Sequence, residues 1–408
     1  MKSLVSLSLL LFVFINAAYA AKWAVLVAGS AGYYNYRHQA DNAHIYRILI
    51  NNGYKPENII VFSQNDVPNS KSNPIPNSLF NKPGNNSINY YEDYVIDYEG
   101  NDNIPANYVK VLTGDDSTGK KVLKSTEEDT IFLAFFDHGS DNLICFPYEE
   151  LYSNALLKAF ETMKAKKMYK RIVYYLEACH SGSMFVDLPT DSNIYGLTAA
   201  NPHESSWAYY CDDEIVNHVQ FDTCLGDEFS IQWMENVDEG DLTQTFKDHA
   251  SVITALVKES HVSRYGDLSF ENLPISEVFT GDLATVKNGK KIAQEKIEGA
   301  RGDIYLNKLN YLRRRMEKTN DSQAEKEYKQ ELELIEKIDT YFAVLVKKFK
   351  NMGVMKVDSI EAPVKDFNCY KQSIDHSINL FGRSDYLVKY YHTLHTICDQ
   401  YNEAYLYL

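Results

Sequence analysis

Two stretches constrain the fold more than anything else in the chain: "TIFLAFFDHGS" (Thr130–Ser140) and "RIVYYLEACHSGS" (Arg171–Ser183). Each is apolar at consecutive rather than alternating positions and rich in β-branched and aromatic residues. Such a strand has both faces buried, as the central strands of a parallel sheet require. Parallel neighbours need a crossover between them, and "YEELYSNALLKAFETMKAKKMYK" (Tyr148–Lys170) supplies an amphipathic helix of suitable length. Upstream, "AKWAVLVAGS" (Ala21–Ser30) reads as a buried strand, "QADNAHIYRILINNG" (Gln39–Gly53) as a helix ended by Gly53, and "NIIVFS" (Asn58–Ser63) as another strand. The alternation predicts an α/β fold with a mostly parallel sheet flanked by helices, and ligands beyond the carboxyl ends of its strands.

Those ends carry the reactive side chains. One strand runs into Asp137-His138-Gly139-Ser140 and the next into Ala178-Cys179-His180-Ser181. Consecutive residues of a strand point to opposite faces, so His180 is a poor partner for Cys179, whereas His138 ends a strand one crossover away. Cys179 is therefore the candidate nucleophile, in an exposed-looking turn, and His138 its base; His180 is a neighbour. Gly139, without a side chain, offers its N–H, with that of Cys179, to a developing oxyanion.

The ends and the charges bound the setting. "MKSLVSLSLLLFVFINAAYA" has one Lys, an apolar stretch from Leu4 to Ile15 and Ala18-Tyr19-Ala20, the pattern of a secretory signal over residues 1–20. No later run reaches the ~18 apolar residues of a membrane span, and "YNEAYLYL" is no anchor tail, so a membrane anchor is not expected. The formal net charge of −15 argues against nucleic acid as a partner. The charge is uneven: residues 21–284 carry 19 Lys and Arg against 38 Asp and Glu, residues 285–320 carry 10 against 4, and residues 321–408 carry 11 against 14. An acidic body, a basic connector and a tail follow one another. The six cysteines allow 15 pairings in an oxidising compartment. Cys211 and Cys224 bracket a polar loop that a disulfide would staple, Cys369 and Cys398 both lie in the tail, and Cys145 reads as a buried strand end. No His/Cys spacing resembles a zinc site, so neither metal nor cofactor is expected. Asn85 opens a glycosylation sequon, "NNS", in a Pro/Gly/Asn-rich loop.

Apolar strand then His-Gly, later apolar strand then Ala-Cys, is the layout of caspase-like (clan CD) cysteine peptidases. The longer islands "NYRHQAD" (Asn35–Asp41), "VLTGD" (Val111–Asp115), "MYKRIVYYLEAC" (Met168–Cys179), "TAANPHESSWA" (Thr198–Ala208), "CLGDEFS" (Cys224–Ser230) and "SHVSRYGD" (Ser260–Asp267) resemble the legumain family of asparaginyl endopeptidases, in order, over most of residues 22–284. The resemblance implies a caspase-like peptidase domain over 21–284, a basic activation segment over 285–320 and an α-helical C-terminal pro-domain over 321–408, released by cleavage between Asn320 and Asp321. It implies Asn35 as the residue orienting His138, and an asparagine-selective pocket of Arg37, His38, Glu177, Ser206 and Asp227. Arg37 would donate to the substrate amide oxygen, while Glu177 and Asp227 accept from its nitrogen.

The family's tail usually has two disulfides; this chain keeps one candidate pair, Cys369–Cys398. The residue after the nucleophile is usually acidic, where this chain has His180. The Cys211–Cys224 loop resembles the plant branch of the family. The implied partners are protein and peptide substrates with exposed Asn, the chain's own pro-domain as inhibitor, and cystatin-like inhibitors. The implied setting is a lysosome, a vacuole or another acidic compartment, or secretion. A peptide ligase or transpeptidase of the same fold shares the acyl-enzyme and is the alternative. The weaker islands also occur in the GPI-transamidase catalytic subunit, from which a C-terminal membrane segment is expected.

Overall fold

The computed structural model describes residues 20–212, 214–238, 240–282, 297–319, 322–351 and 363–401. The expected signal, save Ala20, and the expected cleavage pair Asn320–Asp321 lie outside them. The central sheet has six strands: β1 (Lys22–Ala28), β2 (Ile59–Phe62), β3 (Thr130–Phe136), β4 (Arg171–Glu177), β5 (Ile194–Thr198) and β6 (Ser263–Gly266), in the spatial order β6-β5-β4-β3-β1-β2. All pair in parallel except β6, which runs antiparallel on the edge.

β3 is buried along its whole length. Ile131, Leu133 and Phe135 point into one apolar cluster, and Phe132, Ala134 and Phe136 into another, the period of two expected of a strand covered on both faces. Helices α1 (Tyr36–Asn51), α4 (Glu228–Asp238) and α5 (Phe246–Leu256) cover the Phe132 face. Helices α2 (Pro105–Leu112) and α3 (Ser153–Ala165) cover the other. The crossover α3 buries Leu156, Ala159, Phe160 and Met163, a stripe at i, i+3, i+4 and i+7. Phe132 lies edge-on to Tyr175 (5.6 Å) and Phe279 (5.1 Å) at the middle of this packing. Phe132→Ala is expected to cost about 3–5 kcal/mol, measured by urea unfolding; a loss under about 1 kcal/mol would contradict this account of the core.

Beyond residue 297 the described chain forms regular structure. Arg301–Asp303 forms a strand that pairs antiparallel with Trp207–Tyr209, adding to that strand's otherwise open edge. Helix α6 (Asn307–Thr319) follows, so the described part of the connector is built into the body. The tail comprises α7 (Ser322–Asn351), α8 (Phe367–Phe381), the single turn α9 (Asp385–Val388) and α10 (Tyr391–Gln400). The expected long helix is α7, which buries Glu331, Ile338, Phe342, Leu345 and Phe349 along one face. These apolar residues join Tyr370, Ile374, Leu387, Tyr391 and Ile397 in a third cluster, which also takes in Leu143, Cys145 and Cys179. The tail's core is thus continuous with the strand ends that carry the candidate nucleophile. Disulfides join Cys211 to Cys224 and, between α8 and α10, Cys369 to Cys398; Cys145 and Cys179 are free and buried.

Candidate active site

Phe136 and Glu177 are level in the sheet, so the His138 and Cys179 segments leave it side by side. Gly139 is required by that closeness: a Cβ there would sit 2.6 Å from the Cys179 carbonyl oxygen. His138 is buried, with Nε2 3.0 Å from Oδ1 of Asn35. That oxygen only accepts, so Nε2 presents a proton to it. Nδ1 has no hydrogen bond, as a base waiting for a thiol proton requires. Asn35 thus orients His138.

Cys179 departs from the exposed turn suggested by its sequence. It is fully buried, and its sulfur accepts the Ser206 N–H at 3.1 Å. Burial pushes the thiol up to about 11, although hydrogen bonds to Tyr305, Ser205 and Ser206 oppose the rise. Tyr305, from the connector, lies against the sulfur, and both belong to the apolar cluster that the tail helices share. His180 takes up a left-handed backbone (φ 54°) and turns its ring to Asp141 (Nδ1–Oδ1 2.8 Å) and the Pro202 carbonyl (3.0 Å). It serves the tail interface rather than the thiol.

The pocket residues converge around one guanidinium. Helix α1 starts at Tyr36, earlier than the Gln39 expected from apolar spacing, and this places Arg37, His38 and Asp41 on its first turns. Arg37 donates through Nε to Asp227 at 2.7 Å and through Nη1 to Asn35 Oδ1 at 3.1 Å, coupling pocket and catalytic histidine. His38 lies between Ser30 (2.7 Å), Asp137 (3.4 Å) and Asp227 (3.5 Å). Its pKa is lowered by burial, then by Arg37 and His138. Glu177, the last residue of β4, accepts from the N–H (3.0 Å) and hydroxyl (2.8 Å) of Ser230. Burial and the Asp227 charge raise its carboxyl well above the usual range. Asp41 and Asp137 are likewise raised, chiefly by burial. The buried polar atoms here without a hydrogen bond include Arg37 Nη2, Asp137 Oδ1, Glu177 Oε1 and Asp227 Oδ2. Ser206 contributes its backbone to Cys179.

Sequence reasoning missed Asp41, whose Oδ2 accepts the Asp227 N–H at 3.1 Å; its place four residues beyond Arg37 on α1 was the available signal. It also missed Asp385 of α9, which accepts from Asn35 Nδ2 at 2.9 Å and lies 3.4 Å from His138 Nε2. Burial alone would raise that carboxyl, but His138, Asn35 and Arg37 hold it down at about 2. No local pattern marked it. The Asn307 amide, with its oxygen turned toward Arg37, accepts from Nη1 at 3.0 Å and donates to the Asp303 carbonyl at 3.2 Å. Ion pairs join the acidic body to the basic connector at Arg301–Glu228 (2.6 Å) and Lys318–Asp222, and to the tail at Arg383–Glu150. Burial raises the Glu150 carboxyl despite Arg383. Asn85 is exposed, and among the described residues no helix is long and apolar enough to cross a membrane.

A thiol and an imidazole on adjacent strand ends of a mostly parallel sheet, the imidazole held by an amide, define a caspase-like cysteine peptidase. Residues 22–287 match the model of the Peptidase C13 family, and the chain belongs to that family. Hemoglobinase of Schistosoma japonicum is 42% identical over 258 residues, 63% of this chain and 59% of that protein. Legumain of Bos taurus is 35% identical over 375 residues, 87% of this chain and 82% of that protein. The vacuolar-processing enzyme delta-isozyme of Arabidopsis thaliana is 42% identical over 264 residues, 62% of this chain and 56% of that protein. The match thus spans less than two thirds of the first and third relatives.

Proposed function

We propose that the chain is the zymogen of an endopeptidase that cleaves after asparagine. The observation that carries this reading is the set of unsatisfied polar atoms in the pocket: one donor on Arg37 and acceptors on Glu177 and Asp227, all buried. A substrate carboxamide, with one acceptor oxygen and two N–H donors, is complementary to that set. The Asn307 amide oxygen on Arg37 supports the role of the guanidinium.

In the reaction the Cys179 thiol gives its proton to His138 Nδ1, and the sulfur attacks the carbonyl carbon that follows the Asn side chain. The oxyanion is held by the N–H groups of Gly139 and Cys179. The amine leaves with the proton, and water hydrolyses the thioester. The C-terminal pro-domain acts as the inhibitor, joined in this role by Tyr305 of the connector, and both must move before substrate enters. Relatives that include a vacuolar-processing enzyme, together with the leader, support an acidic secretory-pathway compartment or secretion.

Peptide libraries digested by the processed enzyme test the pocket. Asn is expected at the cleaved position over Lys, Arg or Leu by roughly 1000-fold or more, because those side chains leave buried polar atoms unpaired. Asp is expected only at acid pH, where its carboxyl is protonated and mimics the amide. Equal cleavage after Asp at pH 7, or a preference for Lys or Arg, would overturn the assignment.

A further inference from the structure

Asp141, three residues beyond His138, meets two histidines from the far end of the chain. His392 and His395, three apart on α10, both bring Nδ1 to 2.6 Å from its Oδ2. The three donor atoms lie within 4.8 Å of one another. Two ring nitrogens crowding one oxygen need either protons or a cation between them.

The surroundings are those of a metal centre. His395 Nε2 is 3.2 Å from Asp399, whose other oxygen accepts the Lys365 N–H at 3.0 Å. Ligating histidines characteristically donate their second N–H to such a carboxylate. Asp141 is itself supported, since its other oxygen faces His180 Nδ1 at 2.8 Å, and the His180 ring stacks on His392 at 5.8 Å. Asp141 and His395 are buried, whereas the His392 side chain is 38% exposed and opens the position to solvent.

We propose that Asp141, His392 and His395 form a Zn2+ site that fastens the tail to the peptidase domain, with water as fourth ligand. Imidazole and carboxylate ligands with an open position suit zinc. Bonds of about 2.0–2.1 Å in a tetrahedron put donors about 3.3 Å apart, so the side chains need to part by less than about 1 Å. Two ligands belong to the tail and one to the body, so the ion binds the closed form and stabilises it by mass action. The spacing search found no site because Asp141 and His392 are 251 residues apart.

The rival occupant is a proton. Burial alone would lower the pKa of His395, but Asp141 and Asp399 hold it up at about 9. The full chain carrying Cys179→Ala, which stays uncut, is stripped with a chelator and titrated with Zn2+ by calorimetry at pH 7.5. One Zn2+ per chain, with a Kd of micromolar or tighter, is expected, together with a rise in thermal midpoint. His392→Ala, at a partly exposed position that tolerates change, is expected to weaken binding at least about tenfold. Asp141→Asn is expected to do the same, and Co2+ in the unsubstituted site to show the intense visible bands of a four-coordinate ion. No uptake at pH 7.5, uptake unchanged by His392→Ala in a folded variant, or a six-coordinate Co2+ spectrum would each overturn the proposal.

Discussion

Cys179→Ala is expected to reduce peptide cleavage by the processed enzyme more than about 1000-fold, since Cys179 is a free thiol whose segment leaves the sheet beside that of His138. His138→Ala is expected to fall nearly as far, because its unpaired Nδ1 is the candidate proton acceptor. His180→Ala is expected to stay within about tenfold in the processed form, where the tail that engages His180 through Asp141 and His392 is gone. Asn35→Ala is expected in between, with a changed pH profile, because Asn35 holds the His138 ring through a hydrogen bond to Nε2. Steady-state kinetics on purified, fully processed variants decides the order. An active His138 variant beside an inactive His180 variant would reverse the assignment of the base.

The second large effect is expected on release of the inhibitor, in two stages. The proposed cleavage after Asn320 would remove the residues from Asp321 onward, and with them Asp385 and the tail helices. Tyr305, however, lies on the body side of that bond, anchored by the Arg301–Asp303 strand and by α6, whose Tyr311 hydroxyl meets Ser72 at 2.6 Å. We therefore predict that the singly cut protein stays well below full activity until the 297–319 segment also leaves, and that Tyr305→Ala raises the activity of the singly cut form at least about tenfold. Full activity of the uncut chain at pH 7 would sink the scheme.

Asp385 is the group through which acid is expected to loosen the tail. A carboxyl near 3.9 when free and about 2 in the closed form contributes its stabilisation, of order 2 kcal/mol, fully above pH 4. That contribution is lost as the pH falls from about 4 toward 2. The exposed charge pairs between body, connector and tail each contribute only about 0–1 kcal/mol. The intact Cys179→Ala chain is accordingly expected to keep its tail docked at pH 5 and to loosen below about pH 4, read by the pH dependence of limited proteolysis. Loosening already complete at pH 5 would show that other groups control the tail.

Much of the fold was legible in the sequence because it is written in short periods. The uninterrupted apolar runs of β3 and β4 required burial on both faces, and the stripe of Leu156, Ala159, Phe160 and Met163 required a helix on one of them. From those two facts came the parallel order and the meeting of His138 with Cys179. The motif resemblance then supplied Asn35, Arg37, Glu177 and Asp227, and the structure brings them together. The edge strand Ser263–Gly266 was not legible as a strand from its sequence pattern, since it is short and only half-buried.

What only the tertiary structure decided are the contacts across the longest separations. Local sequence gave no sign that Asp385 would stand against His138, that Tyr305 would cover Cys179, or that His392 and His395 would converge on Asp141. Nor did it show that the connector would continue a sheet instead of hanging free. Apolar periodicity reports which face of an element is buried, because that depends on residues a few positions apart. Which distant element covers that face depends on packing of the whole chain, and the side chains that meet there leave no period to read.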